Sequence, residues 1–226
     1  MTSLGESRQA FMDRIRGVLR RSPGDAVPEP PAVPEELVRL ATRDQDVVDL
    51  AIRNAEAVSM KPQRVTRETL PGTLHTLLDE IAPTSAAVSE AAIGRLFDIA
   101  SLLDERCIER IASSEGHFKA QFDAEVGITD VRCMLAETGT LVVAADPSHS
   151  RGPSLVPPVH IAIVKASDIV PDMLDFYAGL RGLPPSELPS SIAYITGPSK
   201  TADIEGKLVQ GIHGPQTVHV LVVEDA

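Results

Sequence analysis

Tryptophan is absent from this chain, and aromatic residues of every kind make up only 3% of it. Single-stranded nucleic acid is held largely by stacking bases on aromatic rings, so such a platform has almost no material here. The formal net charge of −11 argues the same way, because a phosphate backbone needs a basic footprint. Cysteine is nearly missing too, with only Cys107 and Cys133 present. Two thiols cannot supply the thiolate set that an iron–sulfur cluster takes, and their apolar surroundings read as buried free thiols rather than a disulfide. The six histidines never fall in H-x-x-x-H or H-E-x-x-H spacing, so no metal site is expected. No apolar run reaches the ~18 residues of a membrane span. The N-terminus lacks the apolar core of a signal peptide, and a cytoplasmic protein is the expectation. The nucleotide loops G-x-G-x-x-G and G-x-x-x-x-G-K-[ST] are missing, as is the G-x-S-x-G elbow of serine hydrolases.

What remains is an ordinary globular composition: 226 residues, 43% hydrophobic, with a mean hydropathy near zero. That length holds one well-buried α/β core with a small N-terminal appendage. The appendage is residues 1–21. Phe11, Ile15, Val18 and Leu19 share one face of a helix over 5–21, and five arginines against Glu6 and Asp13 give it +3, leaving −14 for the rest. Such a helix docks on a partner, folds back on the acidic body, or lies on a membrane surface. Residues 22–34 carry five prolines and read as a semi-extended linker. A single α/β domain is expected from 35 to 226. Helical spacing recurs over 35–60, 66–82 and 91–112, with a short strand at 86–88. Strand-sized and helix-sized segments alternate, which favours a layered α/β fold over a helical bundle.

The second half carries the chemistry. Residues 126–135 read as a turn or short helix entering a strand, and 141–145 and 159–164 as apolar strands. Between the first two lies Ala136-Glu137-Thr138-Gly139-Thr140, a tight turn bearing a glutamate. Glu137 there is open to two readings, a general base or nucleophile and a solvent-facing turn residue. Residues 146–158 form a loop long enough to act as a lid, with His149 and Arg151 as candidate contacts. A helix is expected over 169–180. Ser191-Ile192-Ala193-Tyr194-Ile195 reads as a buried strand that stops at Gly197-Pro198. From Thr201 the spacing of Ala202, Ile204, Leu208 and Val209 predicts a helix over 201–210, with Asp203 and Glu205 in its first turn. Strand, loop and helix N-terminus would then present backbone N–H groups, the Ser199 and Thr201 hydroxyls and the Lys200 cation to a phosphate or carboxylate. The same stretch also reads as a capped turn with nothing bound. Gly211-Ile212-His213-Gly214-Pro215 makes another tight loop, with His213 as an acid–base candidate. A terminal strand covers 218–223, and His160 and His219 fall on strands.

Three of these blocks, Ala136-Glu137-Thr138-Gly139-Thr140, Gly197 to Glu205 and Gly211 to Pro215, resemble in order and spacing the LUD-domain family of the lactate utilisation protein C type. Lys200 stands where that family often has arginine, which keeps the charge but not the bidentate fork. The resemblance implies an open, mostly parallel sheet with helices on both faces, similar to the sugar-phosphate isomerase and CoA-transferase superfamily. It implies a non-redox subunit of an L-lactate-oxidising complex, acting beside partner subunits that carry the iron–sulfur clusters, with no cofactor bound by a motif of this chain. A small anionic ligand would then sit in a crevice at one end of the sheet. Its expected contacts are Thr138, Gly139, Thr140, Gly197, Pro198, Ser199, Lys200, Thr201, Asp203, Glu205 and Gly214, with Glu137 and His213 as the catalytic candidates. The alternatives are a stand-alone enzyme of CoA-transferase or sugar-phosphate type that uses Glu137, and a pure interaction module.

Overall fold

The computed structural model describes residues 7–26, 29, 31, 34–42, 44–89, 97–112, 118–145, 150–204 and 207–226. The chain divides into a unit of residues 1–38 and a unit of residues 39–226. In the first, helix α1 (Arg8–Leu19) is capped by Ser7, whose side chain accepts from the Ala10 N–H, and it buries no residue. Helix α2 spans Glu35–Val38.

The second unit is built on a six-stranded, wholly parallel sheet. Its strands are β1 (Lys61–Val65), β2 (Ser85–Val88), β3 (Glu109–Ala112), β4 (Val126–Asp130), β7 (Val159–Lys165) and β12 (Thr217–Val223), in the spatial order β1-β12-β7-β4-β2-β3. Period-two alternation sends side chains to two separate cores. Ile161, Ile163, Leu221 and Val223 pack with helices α4 (Leu70–Ile81) and α5 (Ile99–Glu105) on one face. Ala162, Val164, Val218, Val220 and Val222 face the other side, where helix α3 (Val47–Ala57) lies. Helix α4 buries Leu70, Leu74, Leu77 and Leu78, a one-face stripe, and takes Pro71 in its first turn, where a missing N–H costs nothing. Burying a leucine fully is worth about 2 kcal/mol, so this stripe carries much of the helix's attachment.

A second sheet of four strands runs β8-β5-β6-β9, from β5 (Cys133–Leu135), β6 (Thr140–Ala145), β8 (Ile169–Val170) and β9 (Ser191–Ile195). Its Met134, Leu141, Val143 and Ile169 join α3 in the second core. On its other side Phe176 of α8 (Met173–Leu180) packs with Cys133, Leu135 and Val142. Short helices α6 (Phe118–Gln121) and α7 (Gly152–Leu155) also belong to this unit.

Several expectations are corrected. Residues 201–210 form no helix: β10 (Lys200–Ile204) and β11 (Lys207–Gln210) make an antiparallel hairpin. Of the helix expected over 91–112, residues 91–96 lie outside the described residues; beyond them α5 ends at Glu105, Cys107 turns at φ 55°, and β3 follows. Cys107 is exposed, so only Cys133 is a buried thiol, and both are free. Residues 126–135 form two strands joined at Val131-Arg132, with no helix. Residues 169–170 are a strand, and the helix starts only at Met173, capped by Asp172. β9 is an edge strand and only half-buried. Gly152, Pro153 and Ser154 of the expected lid are buried in α7, while Arg151 is exposed and His149 lies outside the described residues.

Candidate functional site

The three sequence blocks do meet, and what gathers them is the C-terminal end of α3. Asn54 donates its side-chain amide to the carbonyls of Ala136 (2.7 Å) and Glu137 (2.9 Å). Gly139 turns at φ 64° against the helix, where a Cβ would stand 2.4 Å from the Ala55 nitrogen. Gly197, at φ 100°, comes equally close, with its absent Cβ 2.5 Å from the Val58 carbonyl oxygen. Hydroxyls link the first block to the residue just before the second: Thr138 to Thr140 at 2.7 Å, and Thr140 to Thr196 at 2.8 Å. The second and third blocks are tied by Ser199. Its N–H donates to the Pro215 carbonyl (2.8 Å), its carbonyl accepts from Gly211 (2.9 Å), and its hydroxyl accepts from the His213 N–H (3.3 Å). Gly214 packs beside it, and Pro198 and Pro215 are buried.

The electrostatics of this cluster differ from those expected. There is no helix N-terminus after Lys200. Its ammonium instead donates to the Val58 carbonyl and the Ser59 hydroxyl, both at 3.2 Å, at the negative end of α3. Because α3 runs straight into β1, the cluster sits at the amino end of the parallel sheet. Thr201 pairs with Val209 in the hairpin, His213 is exposed, Asp203 is described only as backbone of β10, and Glu205 lies outside the described residues. Glu137 is held by its own N–H on the Pro171 carbonyl (2.9 Å). Partial burial, and then the neighbouring Asp172, push its carboxyl above the usual range. Asp172 is itself buried, caps α8 at the N–H groups of Leu174 and Asp175, and pairs with Arg39 at 2.9 Å.

The opposite end of the sheet holds what sequence reasoning missed. β3 lies outside β2 while β4 lies inside it, so the chain changes direction across the sheet between β2 and β4. In open α/β sheets, ligands bind beyond the carboxyl ends of the strands at such a point. A cavity of about 560 Å³ opens there, lined among others by Ser89, Thr129, Asp130, Arg132, Ser150 and Asp168. Ser89 follows β2 directly and donates its N–H to the Ile128 carbonyl (2.9 Å). Arg132 also lines an adjoining cavity of about 430 Å³ that reaches Ser190. Among the described residues its guanidinium forms no ion pair. Cys133, on the same wall, is a thiol and no nucleophile: burial pushes its pKa up to about 12 against the pull of Arg132. Among the described residues no group of three or more His, Cys, Asp or Glu could hold a metal ion. Among the described residues the crevice offers one cation, Arg132, and several hydroxyls beside the carboxylates of Asp130, Asp168 and Asp175, the last of them paired with Arg39, so Arg132 is the group there suited to an anion.

Comparison with known proteins decides the lineage. The LUD domain family model matches residues 48–223, nearly all of the second unit. The chain belongs to the LUD-domain family. Over 97% of its length it is 31% identical to "Lactate utilization protein C" of Shouchella clausii, covering 99% of that protein. It is 29% identical to the protein of the same name from Halalkalibacterium halodurans, again over 97% of this chain and 99% of the relative. The crystal structure of a DUF162 family protein from Deinococcus radiodurans shares the fold, with a TM-score of 0.56 at 19% identity, covering 79% of this chain and 96% of that one. In this LUD domain, then, the mostly parallel sheet with its covering helices is the family's architecture, and the three motif blocks form its belt around the end of α3.

Proposed function

We propose that this LUD domain acts in lactate utilisation as a non-redox component, binding a small carboxylate in the crevice beyond β2 and β4 while partner subunits carry the electrons. Its relatives' names supply the process. One observation carries the site: Arg132, which forms no ion pair among the described residues, lines the cavity at the switch point of the sheet. A guanidinium in such a place takes a carboxylate through two parallel N–H···O bonds. Two cysteines, one exposed and one a buried thiol, are too few for a cluster on this chain, so iron–sulfur centres belong to the partners in this reading. The same reading assigns the chain to the cytoplasm; among the described residues no helix is long and apolar enough to cross a membrane.

The three-motif belt is the rival seat for the anion. It is disfavoured because Lys200 is already engaged and the α3 C-terminus repels negative charge. Titration calorimetry of the purified chain with L-lactate and pyruvate separates the two. Arg132→Ala is expected to weaken binding at least about tenfold, the worth of a charge-assisted hydrogen bond, while Lys200→Ala leaves it intact. Loss in Lys200→Ala alone would move the site to the belt. Deleting the gene is expected to abolish growth on lactate, and capture of the intact chain to bring down an iron–sulfur protein.

A further inference from the structure

Behind the crevice wall lies a fully buried histidine. His160 on β7 and Thr129 on β4 point to the same side of the sheet, with the imidazole Nε2 and the Thr129 hydroxyl 2.9 Å apart. Its register neighbour is Gly127, where a Cβ would stand 1.7 Å from the Pro153 carbonyl oxygen. The backbone of α7 therefore closes over this part of the sheet. The other ring nitrogen, Nδ1, has no hydrogen-bond partner among the described residues. Burial holds the ring neutral, with its pKa pushed down to about 3, so it carries one proton and must choose a nitrogen for it.

A proton on Nδ1 would be a buried N–H with no acceptor among the described residues, an arrangement that folded proteins avoid more strongly than an unfilled acceptor. The proton belongs on Nε2, donated to the Thr129 oxygen. Thr129 has a single hydroxyl proton, and with its oxygen accepting from the ring that proton turns away from His160. Thr129, only 1% exposed, is one of the residues that line the cavity. We propose that His160 is a positioning residue that fixes Thr129 as a hydrogen-bond donor to the anionic group bound in the crevice. This rests on the crevice reading above. It adds a second donor to the ligand, the Thr129 hydroxyl beside the Arg132 guanidinium, in a crevice whose wall also carries Asp130, Asp168 and Asp175.

The first test needs no ligand. Ring nitrogen shifts of the ¹⁵N-labelled full chain at pH 7 are expected to show His160 protonated at Nε2 and bare at Nδ1. An Nδ1-protonated ring overturns the inference whatever the crevice binds. The second test titrates L-lactate, pyruvate and inorganic phosphate as probes. Thr129→Val, which keeps the shape and removes the hydroxyl, is expected to weaken the bound probe by about tenfold or more. His160→Leu should cost the same factor, and the double variant no more than either, because one interaction is lost in all three. His160→Gln, whose amide N–H can replace the ring donor, should recover most of it, which a merely space-filling role would not explain. A probe that binds wild type and Thr129→Val alike overturns the donor while leaving the crevice site standing. A wild type that binds none of the three, Nε2–H in place, overturns the site and the donor together.

Discussion

Gly139 shows how a single missing atom fixes the belt. With φ at 64° and the α3 backbone 2.4 Å from where a Cβ would be, an alanine suffers both a left-handed strain and a collision with atoms that cannot rotate away. Gly139→Ala is expected to lower Tm by roughly 5–10 °C, the equivalent of a few kcal/mol in a domain of this size, as read by calorimetry. Glu137, beside it, gives a pH signature of the opposite kind to most carboxylates. Unfolded, it releases its proton near 4.5; folded, burial and Asp172 hold the proton to higher pH. Its favourable contribution is therefore complete below that value and is lost as pH rises, leaving the charged form a small net cost at neutrality. Glu137→Gln should raise Tm slightly at pH 7 and make no difference at pH 4.

At the scale of elements, α3 is the hub, and Asn54 is its main polar tie to the turn between β5 and β6. Asn54→Ala strands two turn carbonyls, and a loss of about 1–3 kcal/mol in chemical denaturation is expected. How these elements appear in the sequence depends on whether one period dominates. β6, β7 and β12 are apolar, rich in β-branched residues and unambiguous, and α4 repeats Leu70, Leu74, Leu77 and Leu78 at helical spacing. Residues 201–210 satisfy two periods at once: Ala202, Ile204, Leu208 and Val209 fit a helical face, while Thr201, Ile204 and Val209 favour strands. Pairing of Lys200 with Gln210 and Thr201 with Val209 settles it as a hairpin, an outcome of tertiary contact that local spacing does not encode. The belt motifs are visible because they are contiguous. Ser89, Thr129, Arg132 and Ser150 are not, since Ser89 follows β2, Thr129 and Arg132 lie at and just beyond the end of β4, Ser150 precedes α7, and only the strand order brings them to one cavity.

For the whole molecule, the buried His160 sets the response to acid. Unfolded, it takes up a proton near 6.5, and folded only near 3, so the native state binds fewer protons in between. Its contribution is complete above 6.5 and is lost as pH falls, at up to about 1.4 kcal/mol per pH unit. His219, lowered by burial and then by Lys61, leans the same way. Melting curves from pH 7 to 4 should fall less steeply for His160→Gln than for wild type. Strand order has a consequence in time as well. Among the described residues β1 pairs only with β12, joining Lys61 to His219, so the sheet's first strand in the chain is anchored by its last. While the ribosome is still at work, β1 has no neighbour to bond. The sheet must then assemble from β2, β3, β4 and β7 and close its far edge only once β12 arrives, a slow order of events dominated by distant contacts.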